Sequence, residues 1–102
     1  MPAFEKSARG LIGEDERRAL EILLLENPGR GPVIRGTGGV RKLRIGLRGR
    51  GKRGGGRVIY YFRAAKDRIY MITAYGKTDQ TELSAGDRAV IRELVERLEG
   101  EE

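Results

Sequence analysis

The chain has 102 residues, 21 Lys/Arg against 15 Asp/Glu, a formal net charge of +6 and a mean hydropathy of −0.52. That length suits one domain spanning residues 1–102, with a core large enough to fold without cross-links. Cysteine and histidine are both absent, which removes disulfides, thiolate zinc sites and the commonest metal ligand, so chemistry here must run on Lys, Arg, Tyr, Ser, Thr or a carboxylate. No cofactor or metal is expected.

Met1-Pro2-Ala3-Phe4-Glu5-Lys6 lacks the apolar segment of a secretory signal, and no apolar stretch approaches the roughly 20 residues of a membrane span. A cytoplasmic protein with no membrane contact is expected. Gly13-Glu14-Asp15-Glu16 predicts a helix start, with acids complementing the positive end of the dipole. The helix should run to about Glu26, because Pro28 disfavours helix in the residue before it. Leu20 to Leu25 is apolar nearly all round, so cover on more than one side is expected, from a second helix, the sheet or a partner.

Asn27 to Gly39 is a connector rich in Gly and Pro. Three strands follow, at Val40–Leu47, Arg57–Arg63 and Arg68–Tyr75, each dominated by the β-branched and aromatic residues that a pleated sheet prefers. Ala65-Lys66-Asp67 is short enough for an antiparallel hairpin between the last two. Ser84-Ala85-Gly86-Asp87 has the form of a capping box, followed by Val90, Ile91, Leu94, Val95 and Leu98 as an apolar stripe at helical spacing. Glu93 and Arg97 stand one turn apart in the favourable order. The fold class is α+β, with helices packed on one face of an antiparallel sheet of at least three strands and a helix at the C-terminal end.

Charge is segregated. Residues 30–77 hold 14 Lys/Arg and a single acid, Asp67, for +13; the flanks hold 7 Lys/Arg against 14 acids, for −7. Mixed signs are the usual surface pattern, so a cationic middle points to a polyanion. Alternation then assigns faces. If Leu43, Ile45 and Leu47 meet the helices, Lys42 and Arg44 point the other way, and Arg57 and Tyr61 oppose Val58, Tyr60 and Phe62. One face should hold the core and the other a basic concavity with an aromatic in it. Tyr60, Phe62 and Tyr70 are expected in the core, and Arg63, Lys66 and Arg68 at an exposed hairpin end.

Glycine clusters flank the first strand. Gly49, Gly51 and Gly54 spell GxGxxG, but a strand follows where a dinucleotide site needs a helix. Gly46 to Lys52 matches GxxxxGK, yet Arg53 replaces the Ser/Thr that would hold magnesium. Gly49 to Gly56 reads instead as a flexible hairpin loop that approaches phosphate closely, with Arg48, Arg50, Lys52 and Arg53 neutralising it; Arg41 and Tyr61 are further candidates for binding RNA.

The stretches Gly36-Thr37-Gly38-Gly39-Val40-Arg41-Lys42-Leu43-Arg44 and Gly51-Lys52-Arg53-Gly54-Gly55-Gly56-Arg57-Val58-Ile59-Tyr60-Tyr61 resemble the HigB branch of the RelE toxin superfamily. Tyr75-Gly76-Lys77, Leu83-Ser84 and the helix ending in Glu26-Asn27-Pro28 fit the same pattern. The resemblance implies a compact α+β fold and cleavage of messenger RNA in the ribosomal A site, in contact with rRNA. It also implies a cognate HigA-like antitoxin carrying a helix-turn-helix domain. Many members have a strand ahead of the first helix, and with three residues before Phe4 that edge strand is expected to be truncated or missing. Carried over residue by residue, Arg57 takes a phosphate-binding and transition-state role, Lys42 and Arg44 match the basic residues of the preceding strand, and Lys77 matches the cation after the last strand. Leu83 stands where some members have a base-stacking tyrosine, which leaves Tyr61 or Tyr75 to substitute.

The implied reaction is metal-independent attack of a ribose 2′-hydroxyl on the adjacent phosphate. Arg57 and Arg44 suit the charged phosphorane, because guanidinium binds phosphate oxygens in a forked geometry. Lys42, flanked by Arg41 and Arg44, and Lys52, beside Arg53, are the lysines whose cationic neighbours favour proton transfer. Tyr75 is placed to donate a proton or stack on a base. Two other readings stay open at this point: a catalytically idle fold of the same type that binds RNA or the ribosome, and an antitoxin-binding component of a repressor complex.

Overall fold

A computed structural model of the chain describes residues 2–47, 51–76 and 83–100; among these, the side chains at 2, 3, 47 and 51–54 are not described. The elements run α1 (Pro2–Ala8), α2 (Glu14–Glu26), β1 (Arg41–Leu47), β2 (Gly51–Arg63), a 3-10 turn (Ala64–Lys66), β3 (Arg68–Gly76) and α3 (Ala85–Glu99). The α+β class, the antiparallel sheet and the C-terminal helix agree with the sequence expectation. No helix among the described residues is long and apolar enough to cross a membrane.

One element has no counterpart in the sequence reading. Pro2 opens α1, where its missing N–H is no loss; Gly10, at φ +78°, stands two residues past its end. Phe4 and Ala8, one turn apart, are buried against the sheet, and the Ser7 hydroxyl accepts the Ala74 N–H at 2.9 Å. In place of a first strand, α1 thus satisfies a main-chain donor of β3. Arg17 of α2 reaches back to α1, donating to the Glu5 carboxylate through both terminal nitrogens and lying 5.3 Å from the Phe4 ring centre. This bond holds the Glu5 carboxyl below its ordinary value of 4.5.

In α2 the Glu16 carboxylate accepts the Gly13 N–H at 3.0 Å, so the acidic first turn also caps the helix. Leu20 and Leu24 are buried, but Ile22 is 51% and Leu25 74% exposed. The apolar half of α2 is therefore covered from one side only, against expectation. After α2, the chain is pinned by the Tyr60 hydroxyl, which donates to the Pro28 carbonyl (2.8 Å) and accepts the Gly31 N–H (3.0 Å). Gly31 passes so close to β1 that an added Cβ would sit 2.7 Å from the Lys42 carbonyl oxygen. Residues 32–34 then bond along the outer edge of β1, through Lys42 N–H to Pro32 O and Ile34 N–H to Val40 O.

The sheet order is β1-β2-β3, with Leu43 opposite Val58, Val58 opposite Ala74, and an irregular register near Ile45 and near Ile59. β2 starts at Gly51, six residues earlier than expected. The glycine cluster expected to be a flexible loop is thus largely strand, pairing Ile45 with Gly56 and Leu47 with Gly51. Glycine's low strand preference is overridden here by a partner strand that supplies the ladder.

Both faces of the sheet are covered. Leu43, Val58, Tyr60 and Ala74 pack with Phe4, Ala8, Leu20 and Leu24 of α1 and α2. On the other face Val40, Ile59, Tyr61, Ile72 and Tyr75 pack with Leu83 and with Ile91, Val95 and Leu98 of α3. The capping box forms as expected, with Ser84 Oγ accepting the Asp87 N–H (3.0 Å) and Asp87 accepting that of Ser84 (3.1 Å). Val90, expected in the stripe, is 68% exposed; the buried strip follows the spacing 91–95–98 and leaves position 90 on its flank. Arg63 is also corrected: it is 7% exposed, not at an open hairpin end, and donates to the Glu99 carbonyl at 3.0 Å with the Glu99 carboxylate 3.6 Å away. It closes the C-terminal end of α3.

Candidate nucleic-acid interface

Residues directly opposite in an antiparallel pair point to the same face, with Cβ atoms roughly 5 Å apart. Arg44 stands opposite Arg57, and Arg57 opposite Tyr75, so the three form one row across the sheet. Lys42 stands opposite Ile59 in a neighbouring row. By alternation Lys42, Arg44 and Arg57 share the α3 face, as the sequence periodicity implied.

Arg44 is exposed and Lys42 half-buried. Arg57 is 8% exposed, and its Nη1 donates to the Gly56 carbonyl at 3.1 Å. Among the described residues none of the three has an acidic partner, whereas Arg17, Arg63, Arg92 and Arg97 all do. Like charges directly opposite destabilise a sheet. Burying a guanidinium costs free energy unless it is paired or hydrogen-bonded; here the Gly56 carbonyl accepts from Arg57, while Arg44 opposite stays in contact with solvent.

The remaining candidates fall into three groups. Arg41 pairs with Tyr60 on the opposite face, and its Nη1 donates to the carbonyls of Gly29 (3.0 Å) and Gly31 (2.7 Å). It braces the connector and is not aimed at the basic row; period 2 separates it from Lys42. Tyr61 and Tyr75 are on the expected face but only 7% and 8% exposed, beneath α3. Of the two readings of Tyr61, stacking platform or packing residue, the burial fits the second, because a helix occupies that part of the face. Arg48, Arg50 and Lys77 lie outside the described residues, as do the side chains of Lys52 and Arg53.

Residues 35–101 match the family model of the RelE toxin of RelE/RelB toxin–antitoxin systems. The chain belongs to the RelE toxin family. The matched segment contains the whole sheet and α3, and hence the whole basic row, while α1 and α2 precede it. In this RelE-family chain the other face carries a different feature, an apolar groove of about 380 Å³ lined by Leu24, Leu25, Pro28, Ile69 and Met71 with Glu21, Asp67 and Arg68 at its rim.

One further cation belongs to the face of the basic row. Arg88 is half-buried on α3, and its Nε is buried without a hydrogen-bond partner. The charge count over residues 30–77 conceals it, although the spacing 88–91–95 extends the sheet-facing strip of the helix by one turn.

Proposed function

We propose that this RelE-family protein is an endoribonuclease toxin that cleaves messenger RNA in the ribosomal A site. The observation that carries the reading is the juxtaposition of Arg44 and Arg57, two guanidinium carriers directly opposite on one sheet face with no acid beside them among the described residues. A phosphodiester lying across that row takes oxygens from both forks, and the pair binds more tightly as charge grows on the phosphorane than it does in the ground state. The ribose 2′-oxygen attacks phosphorus and the bond to the 5′-oxygen breaks, leaving a 2′,3′-cyclic phosphate and a 5′-hydroxyl. The proton of the 2′-hydroxyl passes to a base and another is delivered to the leaving 5′-oxygen. Lys42, one step along the same face, is the group proposed for proton transfer, with Lys77 after β3 as the second. Tyr75, packed beside Arg57 under α3, serves to position that arginine.

The proposal extends to a HigB-like identity, a cytoplasmic site of action, rRNA contacts and a HigA-like helix-turn-helix antitoxin. Neither cysteine nor histidine is available to the chemistry, and the proposed steps use side chains alone. The test is primer extension on a translated message incubated with purified protein and ribosomes. Discrete cleaved ends bearing a 5′-hydroxyl, unaffected by a chelator, are expected. Stalled ribosomes without cleaved ends would replace this reading with the idle RNA-binding one, which the burial of Tyr61 and Tyr75 favours by removing the described aromatics from contact with bases.

A further inference from the structure

Two other arginines of α3 are paired with acids one turn away on exposed positions: Arg92 Nε lies 3.9 Å from Glu96, and Arg97 Nη2 donates to Glu93 at 3.0 Å. Arg88 has no such partner, since Ser84 and Arg92 occupy the positions one turn either side. It sits three residues before Ile91, on the strip that Ile91, Val95 and Leu98 bury against the sheet. A helix that continued its apolar strip would place Leu or Ile there. The chain has a guanidinium instead, half-buried and with its Nε sealed off unpaired.

The level that Arg88 reaches along the sheet follows from two fixed points. The C-terminal end of α3 is tied to β2 where Arg63 donates to the Glu99 carbonyl. Further back, Val95 lies beside Gly38, 3.4 Å from where its Cβ would be, just ahead of Val40 and β1. From Glu99 back to Arg88 a helix rises about 16 Å, and from Arg63 back to Arg57 a strand covers about 20 Å. An α3 that follows β2 back from the Arg63–Glu99 tie is thus long enough to bring Arg88 to the level of Arg57, where the apolar cluster gives way to the basic row.

We infer that Arg88 is a phosphate-binding residue that closes the basic row from the α3 side, its guanidinium turning so that the Nε–H, buried and unpaired in the free chain, donates to an oxygen of the same phosphodiester held by Arg44 and Arg57. The inference rests on the reading of that row as an RNA site. It also accounts for the buried Nε: an unsatisfied charged donor is a standing cost that a bound anion removes. The alternative is an arginine that merely lays its stem over Leu83 and Ile91.

The experiment is a titration of the wild-type protein, with its arginine Nε–H groups resolved by NMR, using an RNA oligonucleotide made uncleavable by 2′-deoxy substitution. The Arg88 and Arg57 Nε–H resonances should shift together and saturate at the same oligonucleotide concentration, while that of Arg92 stays put. In parallel, Arg88→Ala should weaken binding about tenfold and lower the salt slope by about 0.7, the value for one phosphate contact on a single strand. Arg88→Lys should recover part of the affinity, and Arg92→Ala should change neither quantity. An Arg88 resonance that stays still while Arg57 shifts overturns the inference and leaves the RNA site intact. If neither shifts, the inference and the proposed function fall together. The titration uses the native chain, so a poorly folding variant does not remove the test.

Discussion

The two faces of the sheet are built on opposite principles. On the α1/α2 face every position that β2 presents between Val58 and Phe62 is apolar or aromatic, and the one cation from β1, Arg41, is spent on two backbone carbonyls. On the α3 face the same strands begin as core, at Tyr61 and Ile59, and end at Arg57 and Arg44, a row with no acidic partner among the described residues. Between Arg57 and Phe62, β2 thus changes character on the α3 side and not on the other. The first face is a packed core, whereas the second holds two arginines opposite each other with no acid beside them among the described residues, an arrangement that costs stability in a sheet.

Substitutions that distinguish the faces sharpen this contrast. Leu24→Ala, which empties a site 1% exposed on the α1/α2 face, should lower unfolding free energy by about 2–5 kcal/mol in a denaturant titration. Ribosome-dependent cleavage per folded molecule should be unchanged. Arg57→Met, which keeps the stem and drops the charge, should do the reverse: cleavage falls ~10²–10³-fold, while the thermal midpoint stays level or rises. A midpoint that falls as far as that of the Leu24 variant would show that Arg57 is a structural residue and erase the distinction.

Adjacent residues on β1 give a finer version. Arg41→Ala should cost about 1.5–3 kcal/mol for its lost charged hydrogen bonds, with the salt dependence of RNA binding intact. Lys42→Ala should leave stability nearly alone and lower the salt slope by about 0.7. An equal salt effect from both would mean that alternation does not segregate the charge. The smallest effect belongs to the exposed Arg17–Glu5 pair. Because the Glu5 pKa is lowered in the folded chain, its stabilisation is present above the ordinary carboxylate range and lost as pH falls through the depressed value. Arg17→Ala should remove that slight acid sensitivity in urea melts at successive pH values, without touching RNA binding.

The parts of the fold carried by strong local rules were legible in the sequence. Alternation in Lys42–Ile45 and Arg57–Phe62 assigned faces correctly, and Ser84 with Asp87 marked the start of α3. Non-local effects were not legible. Gly51 to Gly56 has no strand preference of its own and becomes strand because β1 lies opposite. The burial of Tyr61 and Tyr75 depends on which face α3 chooses, and periodicity in β2 says nothing of that. Arg63 was hidden for the same reason, as its partner Glu99 lies 36 residues away. Pro2 to Ala8 is too short for helical spacing to stand out.

The central claim is that Arg44 and Arg57 bind one phosphodiester jointly, and a double-mutant cycle on kcat/KM for ribosome-dependent cleavage tests it most directly. With Arg44→Ala, Arg57→Ala and the double variant compared, a shared phosphate predicts strong coupling, the double loss being at least about fivefold smaller than the product of the single losses. Losses that simply multiply would mean that the two arginines act on separate groups, contradicting the account.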